Sequence, residues 1–135
     1  MSGYGANQYK QASVMTASKP QVLIMLYEAA IRNIKRAVIC IEEKDLNGKG
    51  IAIGKTQDII NELLNTLDFK VGGKLAEDLE GLYNFISEQL LTANIDNSSE
   101  KLIVAQKLLE TLLDGWKGAI QKLTKDEAST EEVKE

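Results

Sequence analysis

The residues that could carry chemistry in this chain are few. Histidine is absent, which removes imidazole as general acid, general base and metal ligand together. Cys40 is the one cysteine, set among Val38, Ile39 and Ile41; it reads as a buried, inert thiol. With no second cysteine there is no intramolecular disulfide, which suits a reducing, cytoplasmic setting. Carboxylates adjoin at Glu42/Glu43, Glu77/Asp78 and Glu131/Glu132. Sequence neighbours on a helix point about 100° apart, so none forms a natural acid–base pair and all read as solvated faces. Gly72-Gly73-Lys74 lacks the spacing of a phosphate loop and the strand that precedes one. The usual cargo of helical bundles is also out of reach. Di-iron sites need Glu-x-x-His and c-type haem needs Cys-x-x-Cys-His, so no metal and no cofactor is expected.

The elements that would hold these residues are helices. The 135 residues contain one proline and 5% aromatics, and Leu, Ile, Ala, Lys and Glu favour helix over strand. One domain with one core fits the length. The net charge of −4 comes with cations and anions mixed on every segment, so no nucleic-acid partner is expected. The start is polar and Gly-rich, with no leader pattern. No apolar run approaches the roughly 20 residues of a membrane span.

Residues 1–17 are a poor helix and read as a mobile arm or short helix carrying Tyr4, Tyr9, Val14 and Met15. The first helix should start near Ser18, an N-cap oxygen, with Pro20 in its first turn. Its stripe is Leu23, Tyr27, Ala30, Ile34, Ala37, Ile41, on steps of four and three. Residues 45–50 supply turn chemistry. A second helix is expected from about Ile51 to Asp68 on Ile53, Thr56, Ile60, Leu63 and Leu67. Residues 69–73 break it, the paired glycines being free to take positive φ. The third runs from about Lys74 to Ile95 on Leu75, Leu79, Tyr83, Ile86, Leu90 and Ala93. Ser98 or Ser99 caps the fourth, which runs to about Leu123 on Leu102, Ala105, Leu109, Leu112, Trp116, Ala119 and Leu123. Residues 124–135 are acidic and nearly free of apolar groups, and read as a disordered tail. Short links make neighbouring helices antiparallel. The expectation is an all-α, up-down-up-down four-helix bundle spanning residues 18–123.

What exceeds a bundle's needs is apolar surface. Ile24, Ile31 and Val38 form a second row on the first helix, and Leu108, Leu113 and Ile120 another on the fourth. Ile51 and Ile59 add to the second helix, Phe85 and Leu91 to the third. One core takes about three positions in seven. The surplus is either a fat core or a groove for another helix, with the arm as its lid.

The chain resembles a known family at several blocks. Thr16-Ala17-Ser18-Lys19-Pro20, then Leu23-Ile24-Met25-Leu26-Tyr27-Glu28-Ala29-Ala30-Ile31, is similar to the N-terminal signature of the FliS flagellar secretion chaperones. That signature reads TASP and then MLYDGAI. Tyr9 and Val14 fit the family's Tyr-x-x-x-x-Val before it. Ile59-Ile60-Asn61-Glu62-Leu63, Leu67-Asp68, Gly72-Gly73, Leu82-Tyr83, Leu90, Ala93-Asn94 and Trp116 follow in order. Two departures stand out: Pro20 comes one position late, and Glu28-Ala29 replaces Asp-Gly.

The resemblance implies a cytoplasmic, non-enzymatic export chaperone. Such a protein binds the C-terminal segment of flagellin, which is disordered when free, and prevents premature polymerisation. It then aids delivery to the flagellar type III export apparatus. Surplus hydrophobicity and family position together assign Ile24, Tyr27, Ile31, Ile51, Ile59, Leu64, Phe85 and Leu91 to the partner groove, and Tyr9 and Val14 to the lid. Tyr27 and Tyr83 have an alternative role as core anchors. Two rivals are a generic helical adaptor or unliganded homodimer and a small chorismate-mutase-like enzyme. The latter needs an Arg-lined pocket, whereas Arg32 and Arg36 are the only arginines and share one helix face with Lys35.

Overall fold

The computed structural model describes residues 19–134, with side chains to Asp126, as four helices. They are α1 (Lys19–Glu42), α2 (Leu46–Asn65), α3 (Phe69–Asp96) and α4 (Ser99–Lys134). The expected arm, with Tyr9, Val14 and the Ser18 cap, lies outside the described residues. Links of two or three residues leave consecutive helices packed side by side and therefore antiparallel. The main contacts run α1 to α2, α2 to α3, α3 to α4 and α4 back to α1. This places α1 diagonally across from α3.

The core follows the expected stripes. Tyr27, Ala30, Ile34 and Ala37 of α1 are fully covered; so are Thr56, Ile60 and Leu63 of α2, Ile86, Leu90 and Ala93 of α3, and Leu102, Ala105 and Leu109 of α4. Each buried Leu or Ile contributes roughly 1.5–3 kcal/mol. Alanines at positions 30, 37, 52, 93 and 105 let the helix backbones approach closely. The Thr56 hydroxyl donates to the Ala52 carbonyl at 2.9 Å, so this buried polar group needs no partner on another helix.

Caps set the turns, and two boundaries differ from expectation. The second helix starts at Leu46 instead of Ile51. Asp45 is its N-cap, its carboxylate accepting from the Gly48 N–H at 2.9 Å, and Lys44 turns the chain at φ 61°. Position 48, inside the helix, takes glycine because nothing larger fits: a Cβ there would meet the Asp45 carboxylate and lie 2.9 Å from Cys40 Sγ. The third helix starts at Phe69 instead of Lys74. Asp68 caps it by accepting from the N–H groups of Lys70 and Val71 at 3.0 and 3.1 Å. Gly73 alone of the glycine pair takes positive φ (52°), and there the helix kinks. At the α3–α4 turn Asn97 adopts a left-handed C-cap, and Ser98 accepts from the Lys101 N–H.

At the other end α4 continues to Lys134 without a break near Leu123. No Pro or Gly follows Gly118 to stop it. Its packing does end early. Leu113 is the last buried residue, Leu112 and Trp116 are half-buried, and Ala119 and Leu123, expected in the stripe, are exposed.

Two polar pins cross between α2 and α3. Lys49 is 7% exposed, and its ammonium donates to the Asn94 carbonyl at 2.9 Å and to Asn97 Oδ1. A cation thus sits on a last-turn carbonyl of α3, where the helix dipole favours it. Gln57 donates to the Ser87 carbonyl at 2.9 Å and accepts from the Ser87 hydroxyl at 2.8 Å.

Candidate partner-binding cleft

The first turns of α1 carry five apolar residues in a row, Val22 to Leu26. A helix facing one core cannot bury them all. The α3 segment around the Gly73 kink has the same problem, with Val71 87% and Leu75 56% exposed. Because α1 and α3 are diagonal partners, no helix fills the space between their N-terminal turns. The result is a cleft of about 700 Å³. Val22, Leu23 and Leu26 form one wall, and Val71, Leu75 and Leu79 the other. Leu67 in the α2–α3 link closes one side, and Lys19, Thr66 and Asp68 stand at the rim.

Tyr83 and Trp116 also line this cleft. Behind them a hydrogen-bonded aromatic group joins three helices. The hydroxyls of Tyr27 and Tyr83 share a hydrogen bond, and Trp116 donates its indole N–H to the Tyr27 oxygen at 3.1 Å. The two tyrosine rings lie 6.3 Å apart, tilted by 55°. Burial raises both phenol pKa values above the usual 10, because a phenolate would lose its hydration there. For Tyr83 the bond to Tyr27 raises it further, whereas for Tyr27 its bonds to Tyr83 and Trp116 oppose the shift. Both stay neutral at physiological pH.

An apolar trough with neutral aromatic groups at its base can bury the apolar face of a peptide. Its other polar side chains, Lys19, Thr66 and Asp68, stand at the rim. No cluster of His, Cys, Asp and Glu suited to a metal ion occurs among the described residues. No helix among them is long and apolar enough to cross a membrane.

The groove residues assigned from sequence do not come together. Tyr27 (0%), Ile31 (7%) and Ile59 (9%) are buried in the core. Their assignment as open groove residues is corrected: the second rows fill an interior wider than three positions in seven. Ile24 and Leu64 are half-buried against the core. Only Ile51 (53%), Phe85 (41%) and Leu91 (57%) are exposed, and none of the three lines the cleft. Leu75, expected in the core, is a cleft wall, and Ala76 is buried in its place. Sequence reasoning passed over Val22, Leu26 and Val71. The available signal was the unbroken apolar run at 22–26, too wide for one face.

Comparisons with known proteins agree with this helical, non-catalytic arrangement. The family model described as flagellar protein FliS matches residues 2–123. The flagellar secretion chaperone FliS of Salmonella typhimurium is 35% identical over 118 residues, 84% of this chain and 87% of that protein. The flagellar secretion chaperone FliS of Bacillus subtilis is 33% identical, covering 87% of each chain. A solved bacterial flagellar chaperone superposes with a TM-score of 0.73 at 24% identity, covering 90% of this chain and 99% of that one, which supports the fold.

Proposed function

The chain belongs to the FliS family of flagellar secretion chaperones, and on that premise we propose that it binds the C-terminal segment of flagellin. Held on the chaperone, the segment cannot polymerise early. It is passed from the cytoplasm to the flagellar export apparatus. Membership in a family of named chaperones makes the protein a chaperone and not an enzyme.

One observation carries the cargo reading: the apolar cleft between the first turns of α1 and α3, open to solvent, with Val71 and Leu75 exposed on its wall. A filament-forming segment must bury its apolar face either on other subunits or on a substitute surface, and this trough is such a surface. Coupled folding and binding buries about 1,000–3,000 Å² and loses several kcal/mol to ordering. The cleft is too small for that alone, so the segment extends over further faces, for which exposed Ile51, Phe85 and Leu91 are candidates. Half-buried Ile24 and Leu64 are further candidates. Lys19 lies at the cleft rim, so residues 1–17, with Tyr9 and Val14, join the chain where a lid is needed. Such a lid shields apolar surface until cargo displaces it.

Isothermal calorimetry with the C-terminal segment of flagellin tests the reading. Binding at micromolar concentrations or tighter is expected. A flat titration, or a stable dimer on light scattering that ignores the segment, overturns it in favour of an adaptor.

A further inference from the structure

A second groove lies away from the cleft, along the outer seam of α1 and α2, with a volume of about 900 Å³. Its residues are graded along its length. Arg32, Lys35 and Arg36 of α1 and Lys55 of α2 line one end. Ile39 and Ile51, 50% and 53% exposed, follow in the middle. Glu43 and Asp45 close the far end, at the α1–α2 turn, where Asp45 already caps α2.

The four cations are exposed, and none forms an ion pair or a hydrogen bond among the described residues. What sets them apart is their clustering in one groove of a chain with 20 carboxylates against 16 cations. Arg32 and Lys35 also border a shallow depression towards α4 that holds Glu28, Glu110 and Asp114, yet they pair with none of these. Both arginines of the protein are in this group, and arginine is the side chain that recognises carboxylates in a two-point fashion.

We propose that this groove docks an acidic amphipathic helix of a protein partner. Two apolar side chains of that helix, about one turn apart, cover Ile39 and Ile51. Its carboxylates meet Arg32, Arg36 and Lys55. Arg32 lies seven residues from Ile39 on α1, about 10 Å along the axis, while Arg36 and Lys55 lie about one turn from Ile39 and Ile51, so the carboxylates stand one to two turns from the apolar pair. The exposed isoleucines and the carboxylates at the far end favour a protein over a nucleic acid, whose backbone would meet Glu43 and Asp45. The site shares no residue with the cleft; Ile51 alone is common to it and to the further faces proposed for cargo, so cargo held in the cleft leaves the cationic end of this groove open to a second protein.

The test uses the full chain, labelled with ¹⁵N. The probe is a designed helix of about 18 residues, five turns, with two leucines one turn apart and three glutamates on the same face about one to two turns away. At low salt, amide shifts are expected within Arg32–Ile39 and Ile51–Lys55, with binding weakened at least about tenfold at high ionic strength. The double variant Arg32→Glu/Arg36→Glu should lose that binding. Because both side chains are exposed and unpaired, its circular dichroism and its calorimetric titration with the flagellin segment should be unchanged. Three results overturn the proposal: equal binding of the same peptide with lysines for glutamates, shifts confined to the cleft, or tighter binding of a single-stranded oligonucleotide at the same amides. A failure of flagellin binding alone would leave this site standing.

Discussion

Trp116, on the last packed turn of α4, donates its indole N–H to the hydroxyl of Tyr27 on α1. Tyr27 stands between two partners, since its hydroxyl is also bonded to that of Tyr83, and it is fully buried. Removing that one oxygen therefore strands two groups. Tyr27→Phe should cost about 1–3 kcal/mol by leaving buried polar groups unpaired. Tyr83→Phe, which keeps the Trp116 bond, should cost less. Urea denaturation of the two variants gives the order directly, and equal costs would show that the Trp116 bond contributes nothing.

The same pair makes stability fall in alkali. Both phenol pKa values are raised in the folded state, so the neutral pair contributes stability that is fully present below about pH 10, the ordinary tyrosine value. It is lost as pH rises past that value toward the folded pKa values. Tyrosinate absorbance from Tyr27 and Tyr83 should appear only together with loss of helical circular dichroism. A Tyr27→Phe/Tyr83→Phe variant should lack that coupled step.

Lys49→Met keeps the aliphatic stem but removes the ammonium that joins the start of α2 to the end of α3. Loss of about 1–2 kcal/mol is expected, since charged hydrogen bonds are the stronger kind. Thermal unfolding checks this. An unchanged midpoint would mean that water replaces the ammonium at no cost.

Gly73→Ala places a side chain at φ 52°. The space is open, as nothing lies within 4 Å of the added Cβ, so the effect is purely conformational; at ψ −124° the position is outside even the left-handed α region, and the cost should be about 1–3 kcal/mol. If the kink shapes the cleft, affinity for the flagellin segment should fall more than stability does.

Val71→Asp and Leu75→Asp separate cleft from core. Both side chains are exposed, so unfolding should be within about 0.5 kcal/mol of the parent, while cargo affinity drops at least about tenfold. Ile59→Asp, by contrast, should unfold the bundle, because it buries an unpaired charge. The half-buried Leu64 falls between, and Leu64→Asp should weaken binding while retaining helical content. Loss of that content would place Leu64 with the core.

Periodicity made the core legible. Tyr27, Ala30, Ile34 and Ala37 were readable as one face because their spacing of three and four has a single physical meaning. The turns were harder. Asn47-Gly48-Lys49-Gly50 looks like a loop by composition, but the Asp45 cap makes it helix, with Gly48 fitted tightly against Cys40. Lys49 was invisible as a buried residue because its partner carbonyl belongs to a helix 45 positions away. The cleft was only half legible. A surplus of apolar residues can be counted, but whether Ile31 or Val22 is the one left uncovered depends on which helices are diagonal, and that is a tertiary fact.

The unequal packing of α4 has a kinetic consequence. Its first half shares the core, whereas from Lys117 to Asp126 all side chains are exposed except a half-buried Ile120. A helical stretch with so little buried side-chain surface opens by local fraying. Amide hydrogen exchange should thus divide one continuous helix into two populations. Amides near Leu102–Leu109 would exchange only through global unfolding, and those beyond Gly118 through brief openings that the rest of the molecule does not register.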